Sequence, residues 1–327
     1  MTFRALYAEK ADAGYRVDLR DLDDGDLRGD VLVDVAYSSL NYKDGLAITA
    51  KGKIIRKFPM VLGIDLAGTV VESSSPDFEP GDRVVGLAHG LGETEWGGYA
   101  QRQRVRADVL VPLPAALSFE QAMALGTAGF TAMLCALALE QMDVRPNERE
   151  LVVTGAGGGV GSIAVMLLAR RGFKVAASTG RPELEPYLRG LGASSIVPRE
   201  ELSKKSAPLE SEKWGGGVDT VGGQTLSTLF AQTAYGGAIA CCGMAGGGEL
   251  NAFVWPLILR NVSLLGVSSL LTPLAQRKRA WNALAEEIDS DKLASLSRVE
   301  PMSRIRELAE EIVGGKVRGR IVIDVNR

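Results

Sequence analysis

Sulfur and imidazole are scarce in this chain. Its 327 residues hold three cysteines, Cys135, Cys241 and Cys242, and one histidine, His89. Two of the cysteines are adjacent in an apolar run, so the set makes neither a disulfide framework nor a four-thiolate zinc lobe. Cys135 lies in Ala132-Met133-Leu134-Cys135-Ala136-Leu137, where a thiol serves as a small buried hydrophobe. Charge of one sign is also missing: the formal net charge is −3 and the pI is near 5.5, which argues against a nucleic-acid partner. No uninterrupted apolar run reads as long enough to span a bilayer. Met1-Thr2-Phe3-Arg4-Ala5-Leu6-Tyr7 has no signal-peptide pattern and reads as a first strand. The expectation is a cytoplasmic protein with no membrane partner. What remains is ordinary for a soluble chain, 46% apolar and 24% charged, with material for two domains and their cores.

One stretch organises the rest. Leu151-Val152-Val153-Thr154 is a short β-branched strand, Gly155-Ala156-Gly157-Gly158-Gly159-Val160-Gly161 a glycine-packed turn, and Ser162 onward an amphipathic helix to about Arg171. Glycines let a backbone approach a pyrophosphate, and the first helical turn offers unpaired N–H groups at a positive dipole end. The spacing is denser than a strict G-x-G-x-x-G, with Gly158 and Gly161 taking the last two roles. A second apolar strand, Lys174-Val175-Ala176-Ala177-Ser178, completes a βαβ unit.

Before this unit the chain is β-rich. Asp30-Val31-Leu32-Val33-Asp34-Val35-Ala36-Tyr37 alternates apolar and polar residues, and further strands follow Phe58-Pro59, Pro80-Gly81-Asp82 and Trp96-Gly97-Gly98. Ser118-Phe119-Glu120-Gln121 fits a capping box opening helices through Met123 and from Thr131 to Gln141. Strands near 218–221, 237–243 and 262–267 alternate with helices, which implies a doubly wound parallel sheet. Helices near 274–287 and 305–314 precede a last strand, Gly319-Arg320-Ile321-Val322-Ile323-Asp324-Val325, expected to return to the first domain.

Asn41-Tyr42-Lys43-Asp44, Gly63-Ile64-Asp65-Leu66-Ala67-Gly68, Pro80-Gly81-Asp82-Arg83-Val84, Trp96-Gly97-Gly98-Tyr99-Ala100 and Gly126-Thr127-Ala128-Gly129-Phe130-Thr131-Ala132 resemble the medium-chain dehydrogenase/reductase superfamily, in its zinc-free quinone-oxidoreductase branch. Longer stretches, among them Gly52-Lys53-Ile54-Ile55-Arg56 and Leu259-Arg260-Asn261-Val262, are similar to the NADPH-dependent acrylyl-CoA reductase subfamily. The resemblance implies an α/β fold, a Rossmann-type doubly wound parallel sheet over 123–267, with a β-rich GroES-like barrel domain from 1–122 and 268–327. It also implies a homodimer and an acyl-CoA substrate. The implied reaction is reduction of the activated C=C bond of acrylyl-CoA to propanoyl-CoA; the alternative is a broader NADPH-dependent quinone or enone oxidoreductase.

Zinc-dependent members carry Gly-His-Glu where this chain has Gly63-Ile64-Asp65, and isoleucine has no lone pair to give a metal. No metal is therefore expected. Hydride addition to an enoyl thioester suits such a site, because charge spreads into an enolate that hydrogen-bond donors can hold. By the resemblance, the cofactor phosphates lie over Gly157, Gly158, Gly159 and Val160. After the second strand comes Ser178-Thr179-Gly180-Arg181, with no carboxylate before Glu183. Thr179, Gly180 and Arg181 therefore favour the 2′-phosphate of NADPH, since arginine forks onto phosphate. Arg199 resembles a second adenosine-side contact. Tyr42 corresponds to the family tyrosine beside the nicotinamide, as ring-orienting group or proton donor, with Asn41 and Lys43 as weaker neighbours. Met244, Ile258, Ser269 and Asn326 align with further cofactor contacts. Asp65 keeps an acidic slot that, without zinc, pins a loop. Lys51, Lys53, Arg56 and Lys57 form a basic cluster suited to the phosphates of a CoA tail, or simply a solvated charge run.

Overall fold

The computed structural model describes residues 1–12, 14–146 and 148–327. In chain order it begins with β1 (Thr2–Lys10), β2 (Tyr15–Asp23), β3 (Val31–Leu40), α1 (Tyr42–Ile48), β4 (Met60–Val61) and β5 (Asp65–Ser73). Next come β6 (Arg83–Leu87), β7 (Arg102–Val105), β8 (Leu110–Pro112) and α2 (Phe119–Gln141). The middle of the chain alternates β9 (Leu151–Val153), α3 (Gly159–Arg170), β10 (Val175–Thr179), α4 (Glu185–Leu191), β11 (Ser195–Pro198) and α5 (Arg199–Ser203). It continues through β12 (Trp214–Asp219), α6 (Gly223–Gln232), β13 (Thr233–Cys241), α7 (Trp255–Arg260) and β14 (Ser263–Gly266). The last elements are α8 (Leu274–Glu287), α9 (Ser290–Leu296), β15 (Ser297–Pro301), α10 (Ile305–Val313) and β16 (Arg320–Asp324).

These elements form two compact units. The first comprises Met1–Thr127, Ser269–Glu286 and Leu293–Arg327, the second Ala128–Ser268 with Glu287–Lys292. Arg171 forks onto Glu287 at 2.7 and 2.8 Å, and Lys292 donates to the Leu191 carbonyl at 3.3 Å. Those bonds explain why a short piece of the C-terminal segment belongs with the second unit.

In the first unit a sheet ordered β15-β16-β3-β5-β6-β8 carries β7 on β3, and a smaller sheet runs β2-β1-β4. Its core gathers Leu6, Val33, Leu66, Tyr99, Ile305 and Ile321, all essentially inaccessible. Burying a large apolar side chain contributes roughly 1.5–3 kcal/mol. The final strand does return here: Ile321 to Asp324 pair antiparallel with Leu40 to Tyr37.

The second unit holds the expected parallel sheet, ordered β11-β10-β9-β12-β13-β14. Strand order reverses at β9, so the β9–α3 turn sits at the switch point where doubly wound sheets bind ligands. β9 is buried on both faces, as its Leu-Val-Val composition requires.

One expectation needs correction and one is met. Against the expectation of no membrane-length apolar run, α2 covers 23 residues long and apolar enough by composition to cross a bilayer, and as expected it is two helices, joined across a kink. Most of its apolar window is buried inside the protein, which is how a core helix satisfies the same composition. Its backbone also breaks at Gly126, where φ is +50°. A Cβ there would lie 2.6 Å from Ser39 Oγ, 2.7 Å from Asp65 Oδ2 and 2.8 Å from Arg320 Nη2, so both the conformation and the space require glycine. The polar group that dictates this break is described next.

Candidate active site

The glycine turn of the second unit is built for close backbone approach. A Cβ at Gly161 would fall well inside contact distance of the Gly155 carbonyl oxygen and 2.7 Å from Ala156 Cα. Gly161 therefore lets α3 start directly against the end of β9. Ser162 Oγ ties the same turn down, donating to Gly158 O at 2.6 Å. Arg181 reaches the turn from the end of β10 and donates from Nη2 to Gly157 O at 3.2 Å. Arg199 begins α5 beside it: a Cβ at Gly180 would stand 2.7 Å from the Arg199 guanidinium carbon. Gly157 to Val160, Thr179, Gly180, Arg181 and Arg199 thus converge at the carboxyl ends of β9, β10 and β11. No carboxylate stands among them, and the two guanidiniums suit a phosphate.

Other expected residues are dispersed. Met244 follows β13 and is exposed, with its Cα close to Gly222. Ile258 is 74% exposed on α7. Tyr42, Ser269 and Asn326 belong to the first unit. Tyr42 opens α1 with its side chain half exposed, and Asn326 donates from Nδ2 to Val35 O at 3.3 Å. Lys43 pairs with Glu93 at 2.7 Å. In the basic cluster Lys51 pairs with Glu310 at 2.5 Å, while Lys53, Arg56 and Lys57 are exposed and make no ion pair among the described residues. His89 is half-buried, and desolvation lowers its pKa below the usual imidazole value. Cys135 is buried as expected. Cys241 donates to Asp219 Oδ2 at 3.7 Å and Cys242 to Asp219 O at 3.5 Å. Burial and the Asp219 charge push Cys241 up to about 11, so the thiol is inert near neutrality.

Sequence reasoning left the densest polar group of the first unit unassembled. Asp65, at the start of β5, is fully buried and accepts from Ser39 Oγ, from Asn41 Nδ2 at 2.8 Å, from Thr127 N at 2.9 Å and from Thr127 Oγ1 at 2.5 Å. It does pin a loop, the broken turn of α2. Arg320, at the start of β16, lies in the same interior and donates to Ala124 O at 2.9 Å, Ser39 Oγ at 2.9 Å and Asn41 Oδ1 at 3.2 Å. Asp44 completes the group. Burial first, then the Asp65 charge, pushes its pKa up to about 7. Tyr99 donates its phenol to Ser39 O at 3.0 Å, and burial holds that phenol well above its ordinary pKa. The signal available in the sequence was a charged residue set against each of three apolar stretches.

Comparison with known proteins follows the same division. A family model described as alcohol dehydrogenase GroES-like domain matches residues 27–115, and one described as zinc-binding dehydrogenase matches residues 159–289. The chain is 48% identical over 324 residues to the probable acrylyl-CoA reductase AcuI of Escherichia coli K12, covering 99% of this chain and 100% of that one. It is 50% identical over 299 residues to the acrylyl-CoA reductase AcuI of Ruegeria pomeroyi, covering 91% of each. Among solved structures it is similar to the yhdH oxidoreductase of Salmonella enterica in complex with NADP, with a TM-score of 0.96 and 48% identity over 98% of this chain and 99% of that one.

The zinc of the second description does not fit the residues present. Asp65 has its lone pairs engaged by four donors, Ile64 has none to offer, and the Arg320 guanidinium already occupies the acidic interior as its cation. Among the described residues no group of three or more His, Cys, Asp or Glu side chains is placed to hold an ion.

Proposed function

The chain belongs to the medium-chain dehydrogenase/reductase superfamily, and on that premise we propose that it reduces the C=C bond of acrylyl-CoA to propanoyl-CoA with NADPH and without zinc. The observation that carries this reading is a phosphate-ready arginine pair at the glycine turn in a chain whose acidic slot, Asp65, is saturated by hydrogen-bond donors. Bound NADPH supplies the hydride to the β-carbon. The protein's own contribution is placement. Gly157, Gly158, Gly159 and Val160 present backbone to the pyrophosphate, while Thr179, Gly180, Arg181 and Arg199 receive the 2′-phosphate. Tyr42, with Met244, Ile258, Ser269 and Asn326 as further contacts, attends the nicotinamide; it orients the ring or hands a proton to the α-carbon as the enolate collapses. Hydrogen-bond donors rather than a metal meet the thioester oxygen.

Lys53, Arg56 and Lys57, free of ion pairs among the described residues, are the side chains we assign to the CoA phosphates. The working assembly is a homodimer through β14, the edge of the parallel sheet. Tyr235, Phe253, Trp255 and Leu259 lie exposed on or before neighbouring β13 and α7, and a second copy would bury them. Its substrates place its work in the cytoplasm. The test is transfer of label: NADPH deuterated at C4 should deliver deuterium to the β-carbon of propanoyl-CoA. Unlabelled product, or no consumption of NADPH, would overturn the reading.

A further inference from the structure

Three of the bonds that hold the turn carrying Tyr42 pass through Asp44. Its Oδ2 accepts from Asn41 N at 3.0 Å, closing the first turn of α1 onto the residue before Tyr42. Its Oδ1 accepts from Ile64 N at 3.0 Å, tying that turn to the entry of β5. Asn41 Nδ2 bridges the two carboxylates, at 3.2 Å from Asp44 Oδ2 and 2.8 Å from Asp65 Oδ2. Arg320 is the one cation whose charge bears on both buried carboxylates among the described residues, acting through space rather than by an ion pair, and the group is neutral when it also holds one proton.

We propose that Asp44 is a positioning residue for Tyr42: its ionised carboxylate fixes the first turn of α1, and a proton on it releases that turn. This rests on the reading of Tyr42 as the side chain beside the nicotinamide. The chemistry is one of donors and acceptors. Each polar atom facing Asp44 on this turn, Asn41 N, Asn41 Nδ2 and Ile64 N, is a donor. The nearby acceptor Asn41 Oδ1 is used by Arg320, and Ser39 O by Tyr99. The Tyr99 phenol lies against Asp44 and donates its own proton to Ser39 O, so its oxygen can take the proton of a neutral carboxyl; what protonation removes is the negative charge that strengthens the three bonds Asp44 accepts.

The charged groups around Asp44 are accounted for on each side. Asp65 faces it from β5, Arg320 from β16 and the neutral phenol of Tyr99 from the segment before β7. α10 packs on α1 with Ile312 and Val313 against Gly45, an apolar surface. Lys43, one residue away, is paired with Glu93. The proton that titrates near neutrality, at about pH 7, belongs to Asp44.

The experiment compares wild type, Asp44→Asn, Tyr42→Phe and the double variant. Wild-type kcat/KM for acrylyl-CoA should rise with pH through about 7. Asp44→Asn, which replaces the charged acceptor by a neutral amide, should lose that rise and sit about tenfold lower at pH 8, the scale of one buried hydrogen bond. Its NADPH Kd should stay within about twofold. In the Tyr42→Phe background the same substitution should cost less than about twofold. An unchanged pH profile, or an equal loss in both backgrounds, would overturn the proposal. A second arm needs neither turnover nor a variant at position 44: in cofactor-free wild type carrying 13C-labelled tyrosine, the signal absent from Tyr42→Phe should titrate near pH 7. A flat signal also overturns the proposal. If NADPH is not oxidised with acrylyl-CoA by wild type, the proposed function has failed, and the tyrosine titration still decides the role of Asp44.

Discussion

Arg320→Met is the substitution whose cost the structure defines most closely. The side chain is fully buried, its charge bears through space on Asp65 and Asp44, and it satisfies the Ala124 and Leu40 carbonyls. Methionine replaces its volume and leaves the two carboxylates uncompensated. Leaving a buried charge without its compensating cation costs up to about 3–5 kcal/mol, the scale for breaking a buried pair. A ceiling follows independently, because the protein can protonate a carboxylate instead. From an ordinary pKa near 4, that costs about 1.4 kcal/mol for each pH unit, or about 5 kcal/mol at pH 7.5 and about 2 kcal/mol at pH 5.5. The variant should therefore lose about 3–5 kcal/mol at the higher pH and recover roughly half of it at the lower. The sign follows from linkage: the folded variant binds protons that the unfolded chain has released, so its stability falls as pH rises. Urea unfolding at both pH values, followed by circular dichroism and fluorescence together because the two units need not unfold as one, reads this directly. A loss below about 1 kcal/mol at pH 7.5, or an equal loss at both pH values, would refute the reasoning.

Other outcomes follow from the same geometry. Gly161→Ala should weaken NADPH binding by at least about tenfold and lower Tm, because its Cβ collides with the Gly155 carbonyl; Gly158→Ala, whose Cβ meets that oxygen at 3.3 Å, should keep its fold, and cofactor fluorescence compares the two. Replacing Arg181 and Arg199 together by alanine should weaken NADPH by about a hundredfold or more, at roughly 1.5–3 kcal/mol for each charged hydrogen bond. NADH binding by the same variant should hardly change, which calorimetry with the two cofactors separates. Wild-type stability should decline as pH rises from about 4 to about 7, because folded Asp44 keeps its proton up to about 7 while the unfolded chain releases it at the ordinary carboxylate value. Asp44→Asn should flatten that slope in thermal melts.

Local features were legible in the sequence. Strand, glycine turn and helix over 151–165 follow from composition within one short stretch, and the parallel sheet follows from alternation of such stretches. The interruption of α2 was legible as a gap between two helices, but its cause was not, because Gly126 is forced by Ser39, Asp65 and Arg320, which arrive from distant parts of the chain. For the same reason the common site of Asp44, Asp65 and Arg320 was not legible: they lie in a polar segment, an acidic slot and a last strand, and the pairing of β3 with β5 and β16 brings them together. α9 and β15 escaped because Ser-Asp-Lys-Leu and Ser-Arg-Val-Glu-Pro carry no clear period, and β15 exists by pairing with β16.

The central claim is zinc-free reduction of an enoyl thioester by NADPH. Its most direct test is NADPH absorbance with EDTA-treated protein and acrylyl-CoA, with crotonyl-CoA and a free quinone run in parallel. Rapid, saturable loss of NADPH with acrylyl-CoA, undiminished by the chelator and far above the quinone rate, is the predicted result. Comparable quinone rates, or activity that disappears with EDTA and returns with zinc, would contradict it.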